Sequence, residues 1–204
     1  FLPSLEMANF LPTKWPKNRI AALPPGCNIS GDCFTEWEKK FHNRKKLRLF
    51  YVGSIDPTTT YDLSPLFESL CMSEDACLQL CCPEVQWKKY KAYYKMPDTN
   101  VVQVIHKSGF DIKSDYENAD LFCIVRKPTS YLEFAMPIKL FEAIGYGLPI
   151  IANRGTLVAK FVEDEGVGWV IDGPDDLRSL CRYLNRNRQI LIEKKRAVQE
   201  VRKN

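Results

Sequence analysis

The chain has little with which to hold a metal. It carries two histidines, His42 and His106, in 204 residues. No two of its eight cysteines form a Cys-x-x-Cys pair, so no zinc-type pattern arises. No Asp-x-Asp pair marks a divalent site, and no metal is expected. Neither G-x-G-x-x-G nor G-x-x-x-x-G-K-[ST] occurs, which excludes NAD-type and kinase-type phosphate loops. No apolar run approaches the ~18 residues of a membrane span, and no internal repeat or low-complexity tract is present. A net charge of +4 is too small to imply a nucleic-acid partner. The opening Phe-Leu-Pro-Ser-Leu-Glu lacks the basic start and apolar core of a signal peptide. Because it begins abruptly on Phe1, the sequence is expected to be part of something longer.

What is present is ordinary in bulk and patterned in detail. Hydrophobic content of 45% and charged content of 26% suit a soluble globular domain with a full core. Several cysteines lie in apolar runs, where a thiol behaves as a small hydrophobe. They are expected to be free in a reducing, cytoplasmic compartment; a Cys27–Cys33 disulfide in a secreted protein is the alternative. Residues 1–28, with Pro3, Pro12, Pro16, Pro24 and Pro25, read as an approach segment holding a short strand at Ile20 to Leu23. A polar, basic stretch from Asn28 to Lys46 leads into the first clear strand, Leu47 to Val52, closed by Gly53.

An alternation then runs to the end. Helices are predicted at 63–72, 85–94, 112–117, 138–146, 158–163 and from Asp175 onward. Strands are predicted at 77–82, 101–106, 121–125, 148–152 and 168–171. These strands are short and apolar on both faces, as in Leu-Phe-Cys-Ile-Val, so they must be covered on both sides. The pattern is that of a doubly wound α/β fold with a mostly parallel, Rossmann-like sheet and helices on both faces. Residues 29–184 form this domain. Residues 185–204 read as a basic C-terminal helix; from Arg182 on, eight Lys or Arg face only Glu193 and Glu200. Such a helix could rest on an anionic membrane surface or an acidic partner, or could simply be solvated.

In such a sheet, ligands bind beyond the carboxyl ends of the strands. Four loops qualify as walls: 53–62, 106–111, 126–137 and 153–156. Gly53 permits close approach of a ligand. Ser54 and Thr58 to Thr60 could bind phosphate oxygens or form a capping turn. His106 could act as an acid, a base or a donor to a diphosphate, or could fill a strand end. Arg126 and Lys127 leave a strand where a diphosphate would lie. Lys139 sits in a first helical turn, where the helix dipole disfavours a cation; it suggests a nearby anion, with a solvated lysine as the alternative. Glu142 lies among Leu140, Phe141, Ala143 and Ile144, and a carboxylate there needs donors. The vicinal hydroxyls of a ribose would serve; a structural salt bridge is the alternative. Glu133, in the preceding loop, could reach the ligand or face water.

The residues Glu117-Asn118-Ala119-Asp120, Pro137-Ile-Lys-Leu-Phe-Glu142-Ala-Ile-Gly-Tyr-Gly147 and Val162-Glu-Asp-Glu-Gly-Val-Gly168-Trp together resemble the donor half of a GT-B glycosyltransferase of the family-4, retaining type. The resemblance covers about residues 20–184, with 117–152 its specific part, and Leu23 to Asn28 is similar to the hinge entering that half. It implies a transferase that moves a hexosyl-type sugar from a nucleotide-diphosphate sugar (UDP or GDP) to a glycan, lipid or small-molecule acceptor. It further implies a partner N-terminal domain, without which the fragment is inactive. Glu142 would hold the ribose, amides of Ile138 to Leu140 would face the diphosphate, Gly53 would admit the donor, and Arg126 would lie in the base-contacting region. Lys139 and Glu133 are the expected catalytic residues; Gly53, Ser54, Thr59, Arg126, Ile138, Leu140 and Glu142 are expected donor contacts. The family's Arg after the loop glycine is Ser54 here, and its Lys before the next helix is Thr59 or Thr60. Eight residues before Glu142 stands Phe134, with Glu133 one residue off. A non-catalytic nucleotide- or glycan-binding module of the same fold is the alternative function.

Overall fold

A computed structural model describes residues 7–8, 21, 34–71, 73–97 and 100–202. Six strands form one sheet: β1 Leu47–Val52, β2 Ala76–Cys81, β3 Val102–Ile105, β4 Leu121–Ile124, β5 Ile150–Asn153 and β6 Gly168–Ile171. Their order is β3-β2-β1-β4-β5-β6, and every pairing is parallel. The central strands β4 and β5 are buried throughout, and β1 exposes only Arg48. Burial on both faces is why these segments read as continuous apolar runs.

Helices cover each face. On one lie α1 Phe34–His42, α2 Ser64–Leu70, α7 Pro174–Arg186 and the first half of α8 Arg188–Val201, packing on Leu49, Tyr51, Cys123 and Ile151. On the other lie α4 Lys113–Asn118, α5 Ile138–Gly145 and α6 Leu157–Asp164, packing on Phe50, Phe122, Ile124 and Ile150. The short helix α3 Glu84–Tyr90 buries none of its residues fully, and its Trp87 and Tyr90 pack against the core of the first face. The sheet core tolerates no substituent at one point. A Cβ on Gly168 would stand 1.8 Å from the carbonyl oxygen of Ile150, so glycine alone lets β6 close on β5.

Three features differ from expectation. The polar lead-in contains α1, whose apolar residues are few but correctly spaced: Phe34, Trp37 and Phe41 share one face, with Trp37 and Phe41 buried. β5 begins at Ile150 rather than Leu148, because the Leu148 N–H donates to the Ala143 carbonyl and closes the end of α5. The helix from Asp175 is two helices, separated at Asn187, whose side-chain amide donates to the Tyr183 carbonyl at 2.8 Å.

The basic end packs on the domain. In α8, Leu191, Ile192, Lys195 and Val198 are buried. Arg188 donates to the carbonyls of Phe41 and Arg44, Lys194 to that of Gly166 at 3.0 Å, and Arg202 to that of Gly145 at 3.2 Å. Arg196 pairs with Glu38 of α1 at 3.1 Å. No described helix is long and apolar enough to cross a membrane. Cys71, Cys77, Cys81, Cys82, Cys123 and Cys181 are free thiols. Cys27, Cys33, the hinge-like 23–28 and the Ile20 to Leu23 strand lie outside the described residues, Ala21 apart.

Candidate functional site

The strand order reverses at β1: β2 and β3 build outward on one side, β4 to β6 on the other. The loops leaving β1 and β4 therefore diverge, opening a crevice at their carboxyl ends. It has two lobes. The first, about 870 Å³, is lined by Cys82, His106, Gly109, Tyr116 and Glu142. The second, about 310 Å³, is lined by Tyr61, Arg126, Leu132, Ile138 and Thr156. Both share Val52, Gly53, Ser54 and Lys139, so they meet between the end of β1 and the first turn of α5.

Gly53 holds the junction open in two ways. Its φ of 155° is a conformation L-residues rarely adopt, and a Cβ would lie 3.1 Å from the Tyr51 hydroxyl oxygen. The Gly53 N–H donates to the Cys81 carbonyl at 3.0 Å, continuing the β1–β2 ladder into the loop. Ser54 follows; its carbonyl accepts the Tyr51 hydroxyl at 2.7 Å.

Helix α5 supplies the acid. Leu140, Ala143 and Ile144 face the core, while Lys139 and Glu142, three apart, share the neighbouring stripe toward the crevice. Glu142 does not interrupt the buried face, as its apolar neighbours suggested; its side chain is 29% exposed. Its carboxylate is already well supplied with donors. The Tyr116 hydroxyl donates to Oε2 at 2.8 Å, and Lys139 Nζ lies 2.9 and 2.7 Å from the two oxygens. Tyr116 is almost fully buried, stacked on Tyr146 at 4.5 Å and edge-on to Phe50 at 5.0 Å. Burial, then the adjacent Glu142 carboxylate, pushes its phenol far above the usual range, so it remains a donor. Lys139 is thus paired within its own helix, which accounts for a cation in the first turn without an external anion.

The opening turn of α5 has Pro137 at its cap and no side-chain cap. Ile138 is exposed at the second lobe. The Leu140 side chain is fully buried, and its N–H donates to the Pro137 carbonyl at 3.0 Å. Arg126 closes the second lobe, buried, its backbone N–H donating to Asn153 Oδ1 at 2.7 Å.

Other expected contacts are not brought to the crevice. The Thr-rich loop satisfies itself. Asp56 accepts the Thr58 N–H at 2.9 Å and its hydroxyl at 2.7 Å, and Thr59 is exposed with its hydroxyl on the Asp56 carbonyl. It is an Asx turn closed by the Asp56–Tyr61 bridge, and Thr59 lines neither lobe. Glu133 ends an exposed 3₁₀ turn and lines neither lobe. Lys127 is exposed likewise. His106 does line the first lobe, its Nδ1 donating to the Cys82 carbonyl at 2.8 Å. The structure adds Tyr116 and Tyr61, which sequence reasoning missed. A tyrosine inside a polar helical segment gives no sign that its hydroxyl reaches an acid 26 residues later. Among the described residues, no three His, Cys, Asp or Glu cluster as a metal site.

Comparison with known proteins agrees with this architecture. The chain superimposes on WaaG, a glycosyltransferase involved in lipopolysaccharide biosynthesis, with a TM-score of 0.69 at 19% identity, over 92% of this chain and 53% of that one. It superimposes on Anabaena Alr3699/HepE in complex with UDP and glucose with a TM-score of 0.67 at 13% identity, covering 93% and 53%. A glycosyltransferase from Rickettsia africae gives 0.63 at 13% identity, covering 96% and 56%. These identities establish a shared fold, one half of GT-B, and the chain spans about half the length of each structure. No curated protein matches the sequence. The family model described as glycosyl transferases group 1 matches residues 34–203, and the chain belongs to that family.

Proposed function

We propose that this chain is the donor-binding half of a retaining glycosyltransferase, which transfers a hexosyl-type sugar from a nucleotide-diphosphate sugar to a glycan, lipid or small-molecule acceptor. The observation that carries this reading is Glu142, a carboxylate held by Tyr116 and Lys139 on the wall of the larger lobe, at the point where strand order reverses. The 2′ and 3′ hydroxyls of a ribose would donate to Glu142 as Lys139 swings from it toward the diphosphate. The nucleoside then fills the larger lobe, the diphosphate sits at the junction against Ser54 and the α5 N-terminus, and the sugar enters the smaller lobe. The structural neighbour Alr3699/HepE is solved with UDP and with UDP-glucose, which supports UDP among the candidate donors, alongside GDP.

Departure of the sugar leaves negative charge on the diphosphate. The Lys139 side chain and the amides of Ile138 and Lys139 that open α5 face that charge and stabilise it in the transition state. No metal is needed in this scheme. Acceptor binding belongs to an N-terminal partner domain, so the chain alone binds nucleotide without transferring sugar. A second reading, a binding module without catalysis, draws on one observation: Lys139 is tied to Glu142, and the loop after β1 offers no cation.

Calorimetric titration of the chain with UDP and GDP tests the site. One of them is expected to bind, and Glu142→Ala to weaken it about 10- to 100-fold, since a bond to a charged acceptor contributes about 1.5–3 kcal/mol. Folded protein that binds neither would end both readings. Nucleotide-sugar turnover by the full-length protein, lost in Glu142→Ala, separates the enzyme from the binding module.

A further inference from the structure

The smaller lobe holds a cation that nothing in the described chain neutralises. Arg126 is 7% exposed, yet it takes part in none of the ion pairs among the described residues. Its Nε is buried without a hydrogen-bond partner. The guanidinium carbon lies 4.9 Å from the centre of the Tyr61 ring and 5.8 Å from that of Tyr51. Tyr51 supplies no countercharge: burial holds its phenol above the usual range although the charge of Arg126 and a hydrogen bond from it oppose this, and its hydroxyl donates to the Ser54 carbonyl. Aromatic faces recover only part of what it costs to desolvate a guanidinium. The bond from the Arg126 backbone to Asn153 fixes where the side chain starts, independently of its charge. The result is a preset fork of donors in the lobe that adjoins the α5 N-terminus, of the shape that binds phosphate in a bidentate way.

We propose that Arg126 is the phosphate anchor of this crevice, receiving the β-phosphate of a nucleoside diphosphate whose nucleoside occupies the larger lobe. The inference rests on the nucleotide-sugar reading above and deepens it. The loop after β1 presents Ser54 and a self-satisfied Thr59, neither charged, so the cation for the outer phosphate comes from the end of β4 instead. This differs from the base contact that the family resemblance implies for the segment. It also accounts for a buried arginine with an unused donor, which a base contact made by backbone would leave unexplained.

The test is a comparison of mono- and diphosphates on the 204-residue chain, by calorimetry at one fixed salt concentration. UMP, UDP, GMP, GDP and UDP-glucuronate are titrated into the native chain, Arg126→Gln and Arg126→Lys. The native chain is expected to prefer the diphosphate by at least about tenfold. Arg126→Gln should erase that preference while changing monophosphate affinity less than about twofold, and Arg126→Lys should keep part of it. Equal losses for mono- and diphosphate, or no loss, would overturn the proposal. So would a loss confined to UDP-glucuronate, which would assign the guanidinium to a sugar carboxylate. A native chain that binds no nucleotide removes the site reading and this inference together; binding indifferent to Arg126 removes the inference alone. Should the variants fold poorly, the native protein still decides. With ¹⁵N labelling, the Arg126 Nε–H resonance should move on adding UDP and stay in place with UMP; movement with both, or with neither, would overturn the assignment.

Discussion

At the scale of single residues, the site depends on a carboxylate whose partners come from different elements. Glu142 takes one bond from Tyr116, on α4, and a bidentate contact from Lys139, one helical turn earlier. The Lys139 side chain is 40% exposed, so water screens the ion pair and the lysine can leave it at low cost. Tyr116 cannot leave, being clamped between Tyr146, Phe50 and Phe122. The hydroxyl therefore positions the acid. Tyr116→Phe keeps the stacked ring and removes only that bond; about 1 kcal/mol of orientation should be lost, seen as roughly fivefold weaker nucleotide binding with an unchanged melting temperature. A lower melting temperature with unaltered affinity would show that Tyr116 only packs.

At the scale of elements, the Ala119-Asp120 pair that enters β4 has a structural task. Asp120 is fully buried and accepts from Trp37 Nε1 at 2.8 Å, from the Arg48 N–H at 2.7 Å and from Arg44. The buried Lys195 of α8 lies 4.4 Å from the Trp37 ring centre and donates to the Ala119 carbonyl at 3.5 Å. One carboxylate thus ties α1 and the segments before β1 and β4 together, with α8 laid over them. Removing it takes the paired carboxylate away from the enclosed Arg44 guanidinium. Asp120→Ala should cost about 3–5 kcal/mol in urea denaturation, and a cost below about 1 kcal/mol would mean water reaches that cation. Because the network stands at the opposite end of the sheet from the crevice, residual folded protein should still bind nucleotide.

At the scale of the whole molecule, the core is rich in thiols and phenols that must stay protonated. Burial pushes Cys82 and Cys181 up to about 12, Cys123 well above its usual value, and Tyr116 higher than any free tyrosine. In the unfolded chain thiols ionise near pH 8.5–9, so above that the unfolded state sheds protons that the folded state keeps. Stability must then fall as pH rises. Below about pH 8 these groups contribute nothing to the slope. For the enclosed Cys181 the decline is about 1.4 kcal/mol per pH unit up to about 12. Urea midpoints should therefore be level from pH 7 to 8 and drop steeply between pH 9 and 10.5. A level profile through pH 10.5 would show that the thiols ionise within the folded protein. The same scale explains the basic C-terminal helix, whose charges bind carbonyls at the ends of α1 and α5 and the Glu38 carboxylate. The last carbonyls of a helix have no intrahelical partner and form the negative end of its dipole, so arginines are suited to meet them.

Most of the architecture was legible along the chain. Runs such as Leu-Phe-Cys-Ile and Ile-Ile-Ala, apolar at every position, require cover on both faces, and helix-length spacers supply it; alternation alone therefore determined a doubly wound parallel sheet. The Pro137-to-Gly147 segment by itself determined an acid-bearing helix that a buried strand follows closely. Helix α1 was hidden because three apolar residues in nine are enough only when a core waits for them. What the tertiary structure alone decided is which side chains meet. Lys139 faces Glu142, Tyr116 reaches across from another helix, Thr59 turns onto its own loop, and Arg126 is enclosed beside two tyrosines. Periodicity assigns a residue to a face because that follows from local geometry. It cannot say which distant partner shares that face, because hydrogen-bond partners and burial are set by how the helices pack on the sheet.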